Sequence, residues 1–171
     1  DHRDLHSFPT RRSSDLYALP YLCEKLARIG IKNYVEIEAG KVYKIGDYKV
    51  SPVIAYHDVE NVGFRIMHGN TKHFHITDTS TLEGITARNY TSASIEGNHC
   101  EIEALKLIEE AKESGEFTHL IGTMNSHLSV QKAIEFVKEN NIKKLTPIHI
   151  GASTSQQVLA AIKSYQSSVG D

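Results

Sequence analysis

Long apolar runs are missing from this sequence. No stretch approaches the roughly 20 consecutive apolar residues that a membrane-spanning helix needs, which excludes a helical membrane protein and predicts no membrane partner. Cysteine is scarce too: Cys23 and Cys100 are the only two, too few for a disulfide framework. With no signal-peptide pattern in view, they predict a reduced, cytoplasmic protein. Charge of one sign is not in excess either. The formal net charge is −2 over 171 residues, so there is no bulk electrostatic drive toward nucleic acid or an anionic membrane. Internal repeats and low-complexity linkers are absent.

What is present suits one globular domain. Hydrophobic residues make up 40% and charged residues 23%, an ordinary balance for a chain long enough to bury a sizeable core. Histidine is the exception, with ten residues, a first pointer to metal chemistry. Residues 1–16, DHRDLHSFPTRRSSDL, have no hydrophobic period. Their back-translation resembles a common short-read sequencing adapter, codon after codon. They are therefore set apart as a non-native segment, and the gene is expected to continue upstream of Tyr17.

From residue 19 to 29, Leu19, Leu22, Leu26 and Ile29 share one helical face, with Pro20 suited to the first turn and Gly30 to the stop. Alternating residues then predict a meander of strands at 33–37, 41–45 and 48–56, with Pro52 marking an edge or a bulge. Two strands, 62–67 and 72–77, flank a hairpin turn at 68–71, and a loop or short helix fills 80–89. A buried strand at 90–96 precedes an amphipathic helix over 101–114, with Ile102, Leu105, Leu107 and Ile108 inward. A short strand is predicted at 118–123, then a helix from Ser129 to Asn140-Asn141 with Ala133, Phe136 and Val137 inward. A strand at 144–150 and a helix capped by Ser153 or Ser155, running to about Ser164, complete the pattern before a fraying tail. This is an α/β domain.

In open α/β architectures, functional groups gather at the carboxyl ends of strands. Four predicted strand ends carry metal-competent side chains: His57, Asp78, His127 and His149. Imidazole and carboxylate suit zinc, iron and manganese. Taken singly, each has a plainer reading: a hydrogen-bonded strand-end histidine at 57, an Asx turn at 78, a surface residue at 127. His99 is read as the start of a helix, Cys100 as core, and His68, His73, His75 and His119 as structural or solvated. On a strand, His73 and His75 would point to the same face.

At these residues the chain resembles the metallo-β-lactamase-fold hydrolase superfamily, from Tyr17 to about Ser164. His57-Asp58 ahead of Gly63-Phe64, the sequence Thr77-Asp78-Thr79, and Ile148-His149 match elements of that family. Glu96-Gly97-Asn98-His99 and Ser126-His127-Leu128-Ser129 look like elements of its nuclease-like members. The resemblance implies an αββα sandwich of two mixed sheets face to face, helices outside, over residues 17–171. It implies that His57 binds one metal, Asp78 bridges, and His149 binds the second, the pair being zinc, or manganese as the alternative. His127 would contact the scissile group or protonate the leaving group, and Glu96 would orient or charge it. Metal-bound hydroxide attack on a phosphodiester is the implied reaction, with nucleic acid or another small hydrolysable substrate as partner. An ester, thioester or amide substrate, as in β-lactamases and thioesterases, is the alternative within the fold.

The family's hallmark, His-x-His-x-Asp-His, is absent from the sequence; His73-Phe74-His75 continues with Ile76-Thr77-Asp78 instead. The domain is therefore expected to be incomplete at its N-terminus, and the chain to bind metal weakly and turn over little. A non-catalytic binding module on the same scaffold is the competing reading, and an unrelated α/β domain the third.

Overall fold

The computed structural model describes residues 16–169. The adapter-like reading of residues 1–16 therefore lies, apart from Leu16, outside the described residues. The chain divides into two units, the first ending at Lys41 and the second beginning at Val42.

In the first unit, β1 (Tyr17–Ala18) pairs in parallel with β2 (Val35–Glu36) around helix α1 (Pro20–Arg28). Pro20 opens the helix as expected. The expected apolar face holds except at its end: Leu19 is buried, Leu22 and Leu26 are half-buried beside the buried Cys23, and Ile29 sits at the C-cap, 73% exposed. The expected meander is also corrected here. Residues 35–36 pair with a strand before the helix, not with the strands that follow.

The second unit is built on a six-stranded mixed sheet, in sequential order: β3 (Tyr43–Ile45), β4 (Tyr48–Ala55), β5 (Asn61–His68), β6 (Thr71–Ile76), β7 (Ser92–Glu96) and β8 (Leu145–Ile148). The first four run antiparallel; β6, β7 and β8 run parallel. β4, β6, β7 and β8 therefore all point the same way, and their carboxyl ends lie along one edge. Pro52 is tolerated because β3 covers only Tyr48–Val50 of β4, leaving Pro52 no partner on that side. The β5–β6 hairpin turns through Gly69-Asn70, with Gly69 at φ 54.

Three helices lie between β7 and β8: α2 (Glu101–Ser114), α3 (Leu120–Ser126) and α4 (Val130–Glu139); after β8 and a 3-10 turn at Ala152–Thr154 comes α5 (Ser155–Val169). The core joins Phe74, Ile76, Ala93 and Ile95 of the sheet to Ala133, Phe136 and Val137 of α4 and Val158 and Ile162 of α5. Ser129 caps α4 by accepting the Lys132 N–H. Residues 118–123 are not a strand. Most of that stretch is α3, with the Thr118 hydroxyl accepting the Leu120 N–H and the Thr123 N–H reaching the His119 carbonyl. α2 is rotated from its expected phase: Ala104 and Ile108 are buried, while Ile102 and Leu105 are 76% and 53% exposed. Neither Ser153 nor Ser155 caps α5. The Ser155 hydroxyl donates back to the Ala152 carbonyl, and the helix runs through Val169. Cys100 is buried, as expected.

Gly63 marks the tightest approach in the sheet. A Cβ there would stand 2.7 Å from the His75 carbonyl oxygen and 2.8 Å from Ile76 Cβ. Gly63→Ala is expected to lower unfolding free energy by about 1–3 kcal/mol, read from urea denaturation at constant slope.

On β6, Phe74 and Ile76 are fully buried and His73 and His75 share the opposite face. Burial pushes both imidazoles below the ordinary histidine range, and His75 adds a like-charge effect on His73. The unfolded chain protonates them near pH ~6.5. Their stabilising contribution is thus present above that value and lost as pH falls through the folded-state values. Melting temperature is expected to fall between pH 7.5 and 5, and less steeply in a His73→Gln/His75→Gln double variant.

Candidate metal centre

The strand ends deliver His57 two residues past β4, Asp78 two past β6, Glu96 as the last residue of β7, and His149 immediately after β8. His127 arrives differently from expectation. It is the C-cap of α3, its N–H bonded to the Thr123 carbonyl. All five converge nonetheless. Potential donor atoms of His57, Asp78 and His127 lie within 4.8 Å of one another, and so do those of Glu96, His127 and His149. These are the groupings of this kind among the described residues. His127 belongs to both. Its ring lies 5.3 Å from that of His57 and 5.0 Å from that of His149, centroid to centroid.

Asp78 and His149 share a further property. Both have left-handed backbones, at φ 52 and φ 51. Side chains other than glycine rarely adopt that conformation, and where it occurs the surrounding contacts must hold it. Asn61 holds Asp78: its Nδ2 donates to the carbonyls of Thr77 and Asp78, each at 3.1 Å. Asn98 holds His149 by donating from Nδ2 to the His149 carbonyl at 3.1 Å.

Glu96 is fully buried. Its Oε2 accepts the Thr79 N–H at 2.8 Å, and its Oε1 lies 2.6 Å from His127 Nδ1. A carboxylate only accepts, so His127 carries its proton on Nδ1 in that pair and presents Nε2 for other work. His149 Nδ1 lies 3.2 Å from Asp78 Oδ1, 3.3 Å from Glu96 Oε1 and 3.0 Å from Thr77 Oγ1. His57 is the least satisfied member. Its Nδ1 lies against the Asp58 carboxylate without hydrogen-bond alignment, and its buried Nε2 has no partner. An orphaned imidazole nitrogen is costly in a folded protein, and a divalent ion would satisfy it. The donor set of imidazoles and carboxylates fits such an ion.

Sequence reasoning did not assign Thr79, Asn61 or Asn98. Thr79, fully buried, donates its N–H to Glu96 while its hydroxyl accepts the Tyr56 N–H, joining the ends of β4 and β7. It was visible as the second threonine of Thr77-Asp78-Thr79. Asn98 ties three loops. Its N–H reaches the Leu128 carbonyl, its side chain His149, and its carbonyl accepts the Gly151 N–H. His99 stands beside it, pairing with Ser129 as an isolated bridge. Burial pushes the His99 imidazole below its ordinary range, the Glu101 carboxylate opposing and Lys132 and His127 reinforcing. His73 pairs with the Ser92 hydroxyl and His68 stacks on Tyr48. Both stand outside the two donor groupings.

No protein-family model matches the chain, and no curated protein matches it. Solved structures do. The metallo-beta-lactamase fold protein YhfI from Bacillus subtilis aligns over 88% of this chain and 57% of its own, with TM-score 0.66 and 15% identity. Zn(2+)-bound PqqB from Methylobacterium extorquens aligns over 88% and 60%, with TM-score 0.61 and 13% identity. The short form of human tRNase Z aligns over 80% and 60%, with TM-score 0.53 and 13% identity. The chain thus spans less than two thirds of the length of each of these proteins.

Proposed function

We propose, from the premise that this chain has the metallo-β-lactamase fold, that it is part of a metal-dependent hydrolase acting on phosphodiesters, with nucleic acid as the substrate class. The observation that carries this reading is the convergence of His57, Asp78, Glu96, His127 and His149 into two three-donor groups. His57, Asp78 and His149 are assigned to two divalent ions, zinc first and manganese as the alternative. Such ions, when bound, polarise a phosphoryl oxygen and acidify water. The fold likeness to tRNase Z and the zinc in the PqqB structure support the choice of substrate and metal.

The residues divide the remaining work. In its imidazolium form His127 would give the leaving group the Nε2 proton, while its Nδ1–H stays donated to Glu96. Glu96 is a positioning residue, buried and held by Thr79. Asn61 and Asn98 hold the loops of Asp78 and His149. Residues 17–171 are read as a domain of this fold, with 1–16 as a non-native segment. Both cysteines are free and buried, which supports a cytoplasmic setting. No helix among the described residues is long and apolar enough to cross a membrane.

The sequence lacks the His-x-His-x-Asp-His motif, so the chain by itself is expected to bind zinc weakly and to hydrolyse bis(4-nitrophenyl) phosphate no faster than buffer. A gene product extended upstream to include that motif is expected to turn the ester over, and His127→Ala in it to lower kcat while sparing zinc affinity. An extended protein that binds two zinc ions and leaves phosphodiesters intact would overturn the substrate reading. One that binds no metal would favour the binding-module alternative.

A further inference from the structure

Beside the metal centre, on the His127 side, lies a cavity of about 300 Å³. It is lined by His99, His119, His127, Thr123, Ser153 and Thr154, together with the turn that begins at Gly151. Three features set its chemistry. No carboxylate and no lysine or arginine lines it; its polar groups are imidazoles, hydroxyls and the Asn98 amide. The 3-10 turn leading into the fifteen-residue helix α5 opens on it, and Gly151 offers no side chain to cap the first N–H groups. Those N–H groups suit an anion. Thirdly, His99 is only 3% exposed, and its Nδ1 has no hydrogen-bond partner.

Gly151 is needed for this construction. A Cβ there would stand 2.9 Å from both the carbonyl oxygen and Oδ1 of Asn98. The turn therefore packs directly on the strand end that holds His149, so the cavity and the metal centre share a wall. A second metal is a poorer fit: among the described residues, neither His99 nor His119 belongs to a three-donor grouping.

We propose that this cavity is a phosphoryl-binding subsite, taking the phosphate of a nucleotide next to the scissile bond, with Ala152–Thr154 and the imidazoles of His99 and His119 as its donors. The proposal deepens the phosphodiesterase reading and rests on it for the identity of the substrate. Binding of phosphate itself requires no metal.

The test uses the full chain, stripped of metal with EDTA, and two-dimensional NMR of its amides and histidine rings. Inorganic phosphate, uridine 5′-monophosphate and uridine are titrated separately at constant ionic strength. Saturable shifts at Ala152–Thr154, His99 and His119 are expected with both phosphates and not with uridine. Ser153 is exposed, and Ser153→Asp places a carboxylate where the anion would sit. A negative charge there favours the helix start, so the variant folds; it is expected to weaken phosphate binding at least about fivefold, and Ser153→Asn to retain it. Absence of saturation, an equal response to uridine, or unchanged affinity in Ser153→Asp would each overturn the subsite. A zinc titration of the same sample separates the two readings. Zinc bound at His57, Asp78 and His149 with no phosphate response sinks the subsite alone. Phosphate bound with no zinc response even at millimolar zinc leaves the subsite standing and removes the metal centre.

Discussion

Glu96→Ala is expected to destabilise the metal-free chain by about 2–6 kcal/mol, about 1–3 kcal/mol for each of the two hydrogen-bonded groups it leaves without a partner. Glu96 has no solvent exposure, so water cannot replace what it accepts. Its removal leaves the Thr79 N–H and His127 Nδ1 facing a void, and each unsatisfied group adds its own desolvation cost. Glu96→Gln separates stability from chemistry. The amide oxygen can still accept the Thr79 N–H, which turns the NH2 toward His127 Nδ1. That donor requires an unprotonated Nδ1 and moves the ring proton to Nε2. The loss of stability is then expected to be smaller than for alanine, and the ¹⁵N shifts of the His127 ring to report the opposite tautomer. Urea denaturation gives the first result and histidine-ring NMR the second. Equal stability of the alanine variant and wild type would mean that the Glu96 contacts contribute nothing net.

The second large effect is on metal affinity. Asp78→Asn is expected to weaken zinc binding by more than the roughly 10–100-fold that losing an outer-shell partner costs. It removes one charged donor and one of the two carboxylates beside His149 Nδ1. Stability of the metal-free chain should stay within about 1 kcal/mol, since asparagine tolerates a left-handed backbone. The bonds from Asn61 go to main-chain carbonyls that the substitution leaves in place. Competition against a chromogenic chelator measures the affinity. Unchanged affinity would remove Asp78 from the donor set.

The strand ends carrying His57, Asp78 and His149 were legible because each apolar run stops at a turn or loop, and one strand adds a clear burial alternation. On β6, Phe74 and Ile76 point inward and His73 and His75 outward. α3 was not legible. Its seven residues are too few for a helical period to stand out from a short apolar strand, so His127 was placed at the right position on the wrong element. The phase of α2 was misread for a different reason. Ile102, Leu105 and Ile108 form an apolar stripe, but the close-packed residue is Ala104, whose small side chain carries little signal. The parallel pairing of β1 with β2 spans an intervening helix, and no local pattern announces it. The bonds that assemble the site are the least local of all: Glu96 to His127 spans 31 residues and Asn98 to His149 spans 51.

The most direct test of the central claim, that His57, Asp78 and His149 hold metal with Glu96 and His127 packed beside them, is a zinc titration of the full chain followed by histidine-ring NMR. The account predicts that the rings of His57, His127 and His149 respond together, while those of His68, His73 and His75 stay unshifted. A response confined to the latter group, or none at millimolar zinc, would contradict it.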